Sequence, residues 1–137
     1  MDEIAAFIRK NDRFAAHNAM ELLEMSEGRA VARMVLQPHH LNGVGTAHGG
    51  AIFALADLAF AAASNSYGTV AMGISASIQY IKAARGGTLT ATARETSCGP
   101  RLATYAVDIT NDDGDLVAIF QGMVYRKRDS LPVRSCQ

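Results

Sequence analysis

Apolar and polar positions along this chain follow two different periods. Residues 49–64 read GGAIFALADLAFAAAS, in which Ile52, Leu55, Ala59 and Ala63 recur at the spacing of one helical face. Further apolar residues fill the remaining faces, so the pattern predicts a long helix that is buried on nearly all sides. Beyond residue 73 the period changes to two, which is typical of β-strands.

The predicted helices and strands together indicate an α+β fold. Expected helices cover residues 2–10, 18–25 and 49–64, and expected strands cover 30–36, 74–80, 88–93, 105–109 and 117–125. The NDDG sequence at residues 111–114 favours a hairpin turn. A single antiparallel sheet curled around one buried helix satisfies this order of elements. We expect one domain over residues 1–137, with a short helical part at 1–28 and a loose tail at 129–137.

Composition and charge narrow the classes of function. The chain has 137 residues, of which 49% are apolar, and this is enough for a sizeable core. Thirteen basic and thirteen acidic residues cancel, so no general attraction to nucleic acid or membranes is expected. The N-terminus lacks the profile of a signal peptide. Cys98 and Cys136 show no disulfide spacing, and we therefore expect reduced thiols and a cytoplasmic protein.

One charged residue stands alone in the middle of the chain. Between Arg33 and Lys82 the only formally charged side chain is Asp57, which lies inside the apolar helix pattern. An isolated carboxylate is costly to bury, so Asp57 needs partners, water in a cleft or a bound proton. A structural role, with the carboxylate bonded to backbone or a hydroxyl, is one interpretation, and a catalytic role is the other.

The segment before this helix favours the catalytic interpretation. Residues 39–50 read HHLNGVGTAHGG, a loop that leads into a helix N-terminus, where unpaired N–H groups carry the positive end of the helix dipole. Gly49 and Gly50 let an oxygen approach these donors, as in an oxyanion hole. Asp57 lies about 12 Å further along the helix, which is too far for one small group of a substrate to contact both Gly49 and Asp57 within one subunit. We therefore expect two such helices to meet antiparallel across a dimer axis.

The same segment carries a resemblance to a known family. The string NGVGTAHGGAIFALADLAFAAASNS resembles the signature of the hotdog-fold acyl-CoA thioesterases, most closely the thioesterase of bacterial phenylacetate degradation. The similarity covers residues 29–128 and includes IQYIKAARGGTLTATA and VAIFQGMVYR. It implies a hotdog fold and hydrolysis of an acyl-CoA thioester, with an aromatic acyl group such as phenylacetyl. It also implies a homodimer or homotetramer with active sites between subunits.

The resemblance assigns roles to individual residues. It implies that Asp57 acts as general base on a water molecule or as nucleophile on the thioester carbonyl. The Gly49 backbone N–H is then the group that polarises this carbonyl. The resemblance also implies that His48 and Asn42 orient the thioester and the attacking water from the other subunit. Ser75 and Gly50 are implied to contact the substrate. No cofactor is implied, because coenzyme A is part of the substrate, and the spacing of His and Cys does not indicate a metal site.

Two other functions fit parts of the same pattern. A hydroxyacyl thioester dehydratase on the same fold needs a histidine and a carboxylate that face one substrate, and it usually has a Pro-Gly step at the helix start, which this chain lacks. A non-catalytic acyl-CoA binding module keeps the pocket without the chemistry. The intact Asp57 and the glycines at 49 and 50 disfavour that second alternative. No nucleic acid or membrane partner is expected.

Overall fold

Three α-helices and six β-strands make up residues 1–132, the part of the chain that the computed structural model describes. The first two helices are short, and a 3-10 turn at Pro38–His40 precedes the long third helix. In chain order the elements are α1 Asp2–Asn11, α2 Arg13–His17, β1 Met20–Ser26, β2 Arg29–Val35, α3 Gly49–Ser64, β3 Thr69–Tyr80, β4 Thr88–Cys98, β5 Leu102–Thr110 and β6 Leu116–Ser130.

The six strands form one curled antiparallel sheet in the order β1-β2-β4-β5-β6-β3. Helix α3 lies against the inner face of this sheet, and Leu55, Ala56, Ala59 and Ala62 are completely buried between them. Small side chains at these positions let the helix approach the strands closely. The predicted α+β hotdog fold, a curled sheet wrapped around one long helix, is therefore confirmed.

The N-terminal part differs from the prediction. Residues 18–25, expected as a helix, form most of strand β1, so the helical part ends at His17 rather than near residue 28. A bulge between Leu22 and Glu24 interrupts the alternation of buried and exposed side chains. The adjacent Leu22 and Leu23 give the segment the apolar spacing of an amphipathic helix, whereas in the structure the bulge leaves Leu23 exposed and pairing with β2 makes the segment a strand.

Helix α3 is less completely buried than its sequence predicts. Gly50 and Asp57 are exposed, and Phe53, Ala54 and Ala61 are half-buried. These five residues follow the helical repeat, so they form one stripe along the helix, which we call the open stripe of α3. The sheet and the N-terminal segment cover the other faces, and a single chain leaves this stripe uncovered.

The end of the chain also differs from the prediction. Strand β6 continues to Ser130, which pairs with Thr69 of β3, and the Leu131 N–H donates to the Gly68 carbonyl at 2.9 Å. Asp129 and Ser130 are therefore part of the sheet and not of a loose tail. Residues 133–137, with Cys136, lie outside the described residues. Among the described helices, none is long and apolar enough to cross a membrane.

The two edges of the sheet are finished in different ways. At β1, the Arg9 guanidinium of α1 donates to the Leu22 carbonyl at 3.0 Å and to the Leu23 carbonyl at 3.3 Å. At the opposite edge, β3 pairs with β6 alone among the described elements, and its residues 72–77 are all exposed. Met72, Ile74 and Tyr80 are each more than half exposed. Strand β3 is thus a long edge with apolar side chains and free backbone groups.

Candidate active site at the start of helix α3

Asn42 holds the loop that leads into α3. Its side-chain oxygen accepts hydrogen bonds from the Val44 N–H at 3.1 Å and the Thr46 N–H at 3.2 Å, and its amide nitrogen donates to the Thr46 hydroxyl at 2.9 Å. The Asn42 backbone N–H donates to the Thr46 carbonyl at 2.8 Å. Gly45 completes the turn with a φ of 78°. Within one chain, Asn42 therefore fixes the shape of the loop.

His48 caps the N-terminus of α3. Its ring Nδ1 accepts a hydrogen bond from the Gly50 N–H at 2.8 Å, and its backbone N–H donates to the His40 carbonyl at 2.7 Å. A neutral imidazole that accepts at Nδ1 carries its proton on Nε2. The His48 side chain is exposed, so this Nε2–H is a donor available to a ligand.

The Gly49 N–H is the free backbone donor at this helix start. The Gly50 N–H is taken by His48, whereas the Gly49 N–H has no acceptor within residues 1–132. Tyr80 of β3 donates its hydroxyl proton to the Gly49 carbonyl at 2.8 Å. A Cβ atom at residue 49 would lie 3.0 Å from the Tyr80 Cζ and Oη atoms. This position therefore needs glycine for space, and its N–H carries the positive end of the helix dipole.

Asp57 lies two turns further along the open stripe of α3. Within the described residues its carboxylate takes part in no hydrogen bond, which argues against the structural interpretation of this residue. Partial burial against neighbouring apolar groups raises the pKa of Asp57 above its usual range, and the negative charge of Asp12 raises the pKa further. A carboxylate with a raised pKa is a stronger base than an ordinary aspartate.

Asp57 opens into a cavity between α2 and α3. The cavity has a volume of about 360 Å³. Its α3 wall includes Gly50 and Asp57, and its opposite wall includes Asp12, Phe14 and Ala15. Sequence reasoning missed the residues of that opposite wall, because a five-residue helix such as α2 leaves too short a periodic pattern to recognise.

Ser75 does not lie near Asp57 within the chain. Gly122 of β6 faces α3, since a Cβ there would lie 2.6 Å from the Phe60 ring. Its neighbour Met123 must face the other way, and Ser75 pairs with Met123. Ser75 therefore lies on the outer face of the sheet, in a hollow with Ser77 and Gln121. Within one chain Ser75 therefore lies away from Asp57, and its contact with the substrate stays a prediction for a site between subunits.

His40 connects the N-terminal segment to this loop. It is 2% exposed, and its Nδ1 accepts from the Gln37 N–H at 2.9 Å. Its Nε2–H consequently donates to the Asn18 carbonyl, at 2.8 Å, just after α2. With the His40 carbonyl bonded to His48, one residue ties α2 to the helix cap. Within the described residues, no group of three or more His, Cys, Asp or Glu is placed to hold a metal ion.

Comparisons with known proteins find thioesterases and esterases among the relatives of this chain. The family model of the thioesterase superfamily matches residues 44–118. A protein of Archaeoglobus fulgidus, named as a candidate esterase, is 42% identical over 98% of this chain and 88% of its own length. The acyl-coenzyme A thioesterase PaaI of Escherichia coli is 37% identical over 85% of this chain and 84% of its own. The solved structure of E. coli PaaI, from the phenylacetic acid degradation operon, superposes with a TM-score of 0.90 at 35% identity, covering 93% of this chain and 94% of that one.

Proposed function

Because the chain belongs to the thioesterase superfamily, we propose that it hydrolyses aromatic acyl-CoA thioesters of the phenylacetyl type to the free acid and coenzyme A. The general activity, that of an acyl-CoA thioesterase, follows from the family. The aromatic acyl group is supported by the name of the E. coli relative's operon and by the small size of the cavity beside Asp57. We expect the enzyme to be cytoplasmic and to need no cofactor, since coenzyme A enters with the substrate.

The observation that carries this proposal is a pair of groups on one helix that are both accessible to a ligand. The Gly49 N–H is a donor without an acceptor, and the Asp57 carboxylate is an acceptor without a donor, within the described residues. A thioester carbonyl needs a donor at its oxygen and a nucleophile at its carbon. The two groups are about 12 Å apart along the helix axis. A single thioester carbonyl is too small to reach both of them in one chain.

A second chain removes this difficulty. In a dimer in which two copies join their β3 edges with their α3 helices side by side and antiparallel, the Gly49 N–H of one chain meets the Asp57 of the other. Such an arrangement covers the apolar β3 edge, and the open stripe of α3 then faces the gap between the two chains, where the substrate enters. We therefore propose a homodimer, either alone or doubled to a homotetramer, with active sites between subunits.

In the proposed reaction, the substrate carbonyl oxygen accepts the Gly49 N–H. The Asp57 carboxylate takes a proton from a water molecule, and the hydroxide attacks the carbonyl carbon. The tetrahedral intermediate then expels the thiolate as the C–S bond breaks, and the protonated Asp57 returns its proton to the sulfur. His48 Nε2–H is the second donor that orients the thioester or the water, and Asn42 acts indirectly by holding the loop. Direct attack by Asp57 gives a mixed anhydride instead, which water then hydrolyses.

Thiol release from a panel of acyl-CoA thioesters tests the function. We expect the wild-type protein to release free thiol fastest from phenylacetyl-CoA and its hydroxylated forms. Asp57→Asn keeps the size of the side chain and removes its basicity, so turnover should fall by roughly 10²-fold to 10⁴-fold. Asp113→Asn, an exposed carboxylate in the 111–114 turn, is the matched control and should retain wild-type turnover. Wild-type turnover in Asp57→Asn would remove this residue from the mechanism.

The other functions give different results in the same assay. A dehydratase adds water to an enoyl-CoA without releasing thiol, and a binding module binds acyl-CoA without turnover. A single turnover in water labelled with heavy oxygen separates the two roles of Asp57. A general base puts the label into the first acid released, whereas an anhydride opened at the Asp57 carbonyl leaves the label on the enzyme.

A further inference from the structure

The cavity beside Asp57 has a wall that comes from outside the matched family region. Residues 44–118 match the thioesterase superfamily, whereas Phe14 belongs to α2 near the N-terminus. The Phe14 side chain is 65% exposed and stands at the cavity opening. The floor consists of buried residues, Ala15, Met20 and Leu58, which separate this cavity from a second hollow of about 260 Å³.

We propose that this cavity binds the acyl group of the substrate and that Phe14 determines the preference for an aromatic acyl group. This inference rests on the proposed function, since it places the acyl group beside the carboxylate that attacks or activates water. The thioester carbon lies at Asp57, and the acyl group extends from it between α2 and α3. Phe14 then covers the ring from the solvent side.

The size of the cavity favours a small acyl group. A volume of about 360 Å³ is near the lower end of the roughly 300–1,000 Å³ typical of small-molecule sites. The floor residues are each no more than 6% exposed and are packed into the core. A long fatty acyl chain would have to displace Met20 or Leu58 from this packing, whereas a phenylacetyl group would not.

The chemistry of the walls favours an uncharged aromatic ring. Phe53 of α3 and Phe14 of α2 both line the cavity, and Phe53 also makes an edge contact to Phe120, with ring centroids 5.4 Å apart. A bound ring can therefore stack or pack edge-on against two phenyl rings. Asp12 and Asp57 are the charged groups of the lining, and both are acidic. An acyl group that carries its own carboxylate is repelled here.

The Phe14 side chain contributes little to the packing of a single chain. Its backbone carbonyl accepts hydrogen bonds from Asn18, but its side chain is mostly in solvent. A large apolar side chain held in solvent at the opening of a cavity is typical of a binding surface rather than of a core. Truncating this side chain should therefore change ligand binding more than folding.

The test is the ratio of kcat/KM for phenylacetyl-CoA to kcat/KM for acetyl-CoA. We expect Phe14→Ala to lower this ratio by about 10-fold, the factor that one aromatic contact supplies. Phe14→Leu, which keeps apolar area without a ring, should give an intermediate ratio. The matched control is Leu23→Ala, which truncates an exposed apolar side chain on β1 outside the cavity and should leave the ratio unchanged.

The outcomes separate the two proposals. If the wild-type protein releases no thiol from any thioester, the proposed function fails. If it hydrolyses phenylacetyl-CoA but Phe14→Ala leaves the ratio within about 2-fold of wild type, the acyl site proposed here is wrong and the function stands. Circular dichroism of Phe14→Ala at the assay temperature verifies that the variant is folded, and Phe14→Leu gives an independent reading.

Discussion

Replacing Gly49 with alanine should weaken catalysis without weakening the fold. The added Cβ would lie 3.0 Å from the Tyr80 Cζ and Oη atoms, and ordinary contacts begin at 3.4 Å, so the ring or the Gly49 peptide must move by about 0.4 Å. Gly49 is the first residue of α3 and precedes the helix interior, where exchanging glycine for alanine changes stability most, so the substitution has little effect on the helix itself. Any loss of activity in Gly49→Ala therefore cannot be attributed to a less stable helix.

The size of the effect follows from this displacement. A misplacement of 1 Å at a reacting centre can cost about 10²-fold in rate, so about 0.4 Å costs roughly 6-fold on a logarithmic scale. If the ring also moves outward, its hydrogen bond to the Gly49 carbonyl is lost, which costs up to about another 10-fold. We expect kcat/KM of Gly49→Ala to fall between about 6-fold and about 60-fold, as measured by thiol release.

A second substitution shows whether the Tyr80 ring is the cause. Tyr80→Ala removes the ring and should cost up to about 10-fold through the lost hydrogen bond. In the Gly49→Ala and Tyr80→Ala double variant the clash is gone, so its activity should match that of Tyr80→Ala alone. Gly43→Ala is the control, because a Cβ at this loop glycine meets nothing within 4 Å. If the double variant loses the product of the two single effects, the steric reasoning is refuted.

Two further predictions concern neighbours of Asp57. Asp12→Asn removes a negative charge that adds to the raised pKa of Asp57, so the acidic limb of the kcat/KM profile against pH should move to lower pH. Asparagine can still accept the hydrogen bond that Asp12 accepts from the Ala15 N–H at 3.0 Å, so the cap of α2 is preserved. An acidic limb that does not move would contradict the charge effect. Gly122→Ala would put a Cβ 2.6 Å from the Phe60 ring, so thermal unfolding should show that the free energy of unfolding falls by about 1–3 kcal/mol. Gly86→Ala is the control, because a Cβ there meets nothing within 4 Å and stability should not change. Equal stability of the two variants would refute the predicted clash with Phe60.

The parts of the molecule that the sequence could predict are those with strong local signals. Helix α3 begins at Gly49 and ends at Ser64, the span expected from its apolar pattern, because helix formers, a capping histidine and a following turn all agree there. Strand β1 was missed because its bulge at Leu22 breaks the alternation. A second bulge, between Gly73 and Ser75, shifts the register of β3 against β6, and no local pattern reveals which face Ser75 then takes.

Only the part of the candidate site that lies on one continuous segment of the chain could be predicted from the sequence. Asp57 and Gly49 stand out in the sequence as a lone charge and a glycine at a helix start. Asp12 and Phe14 lie more than forty residues before Asp57, and they reach its cavity only because α2 and α3 pack side by side. Such a contact depends on tertiary packing, which a single sequence does not encode as a pattern. The raised pKa of Asp57 likewise comes first from burial against its tertiary surroundings and then from the charge of Asp12, a neighbour in space alone.

The unlike edges of the sheet set a limit on how far it can grow. The Arg9 guanidinium occupies two carbonyls of β1, so a further strand cannot add there without displacing it. Within residues 1–132, no side chain blocks the β3 edge in this way. In the proposed dimer, in which two copies join through β3, both outer ends of the combined sheet are β1 edges blocked by Arg9. Edge-to-edge association is then self-terminating at two chains, and the strand that could have seeded an open fibre is consumed in closing the pair.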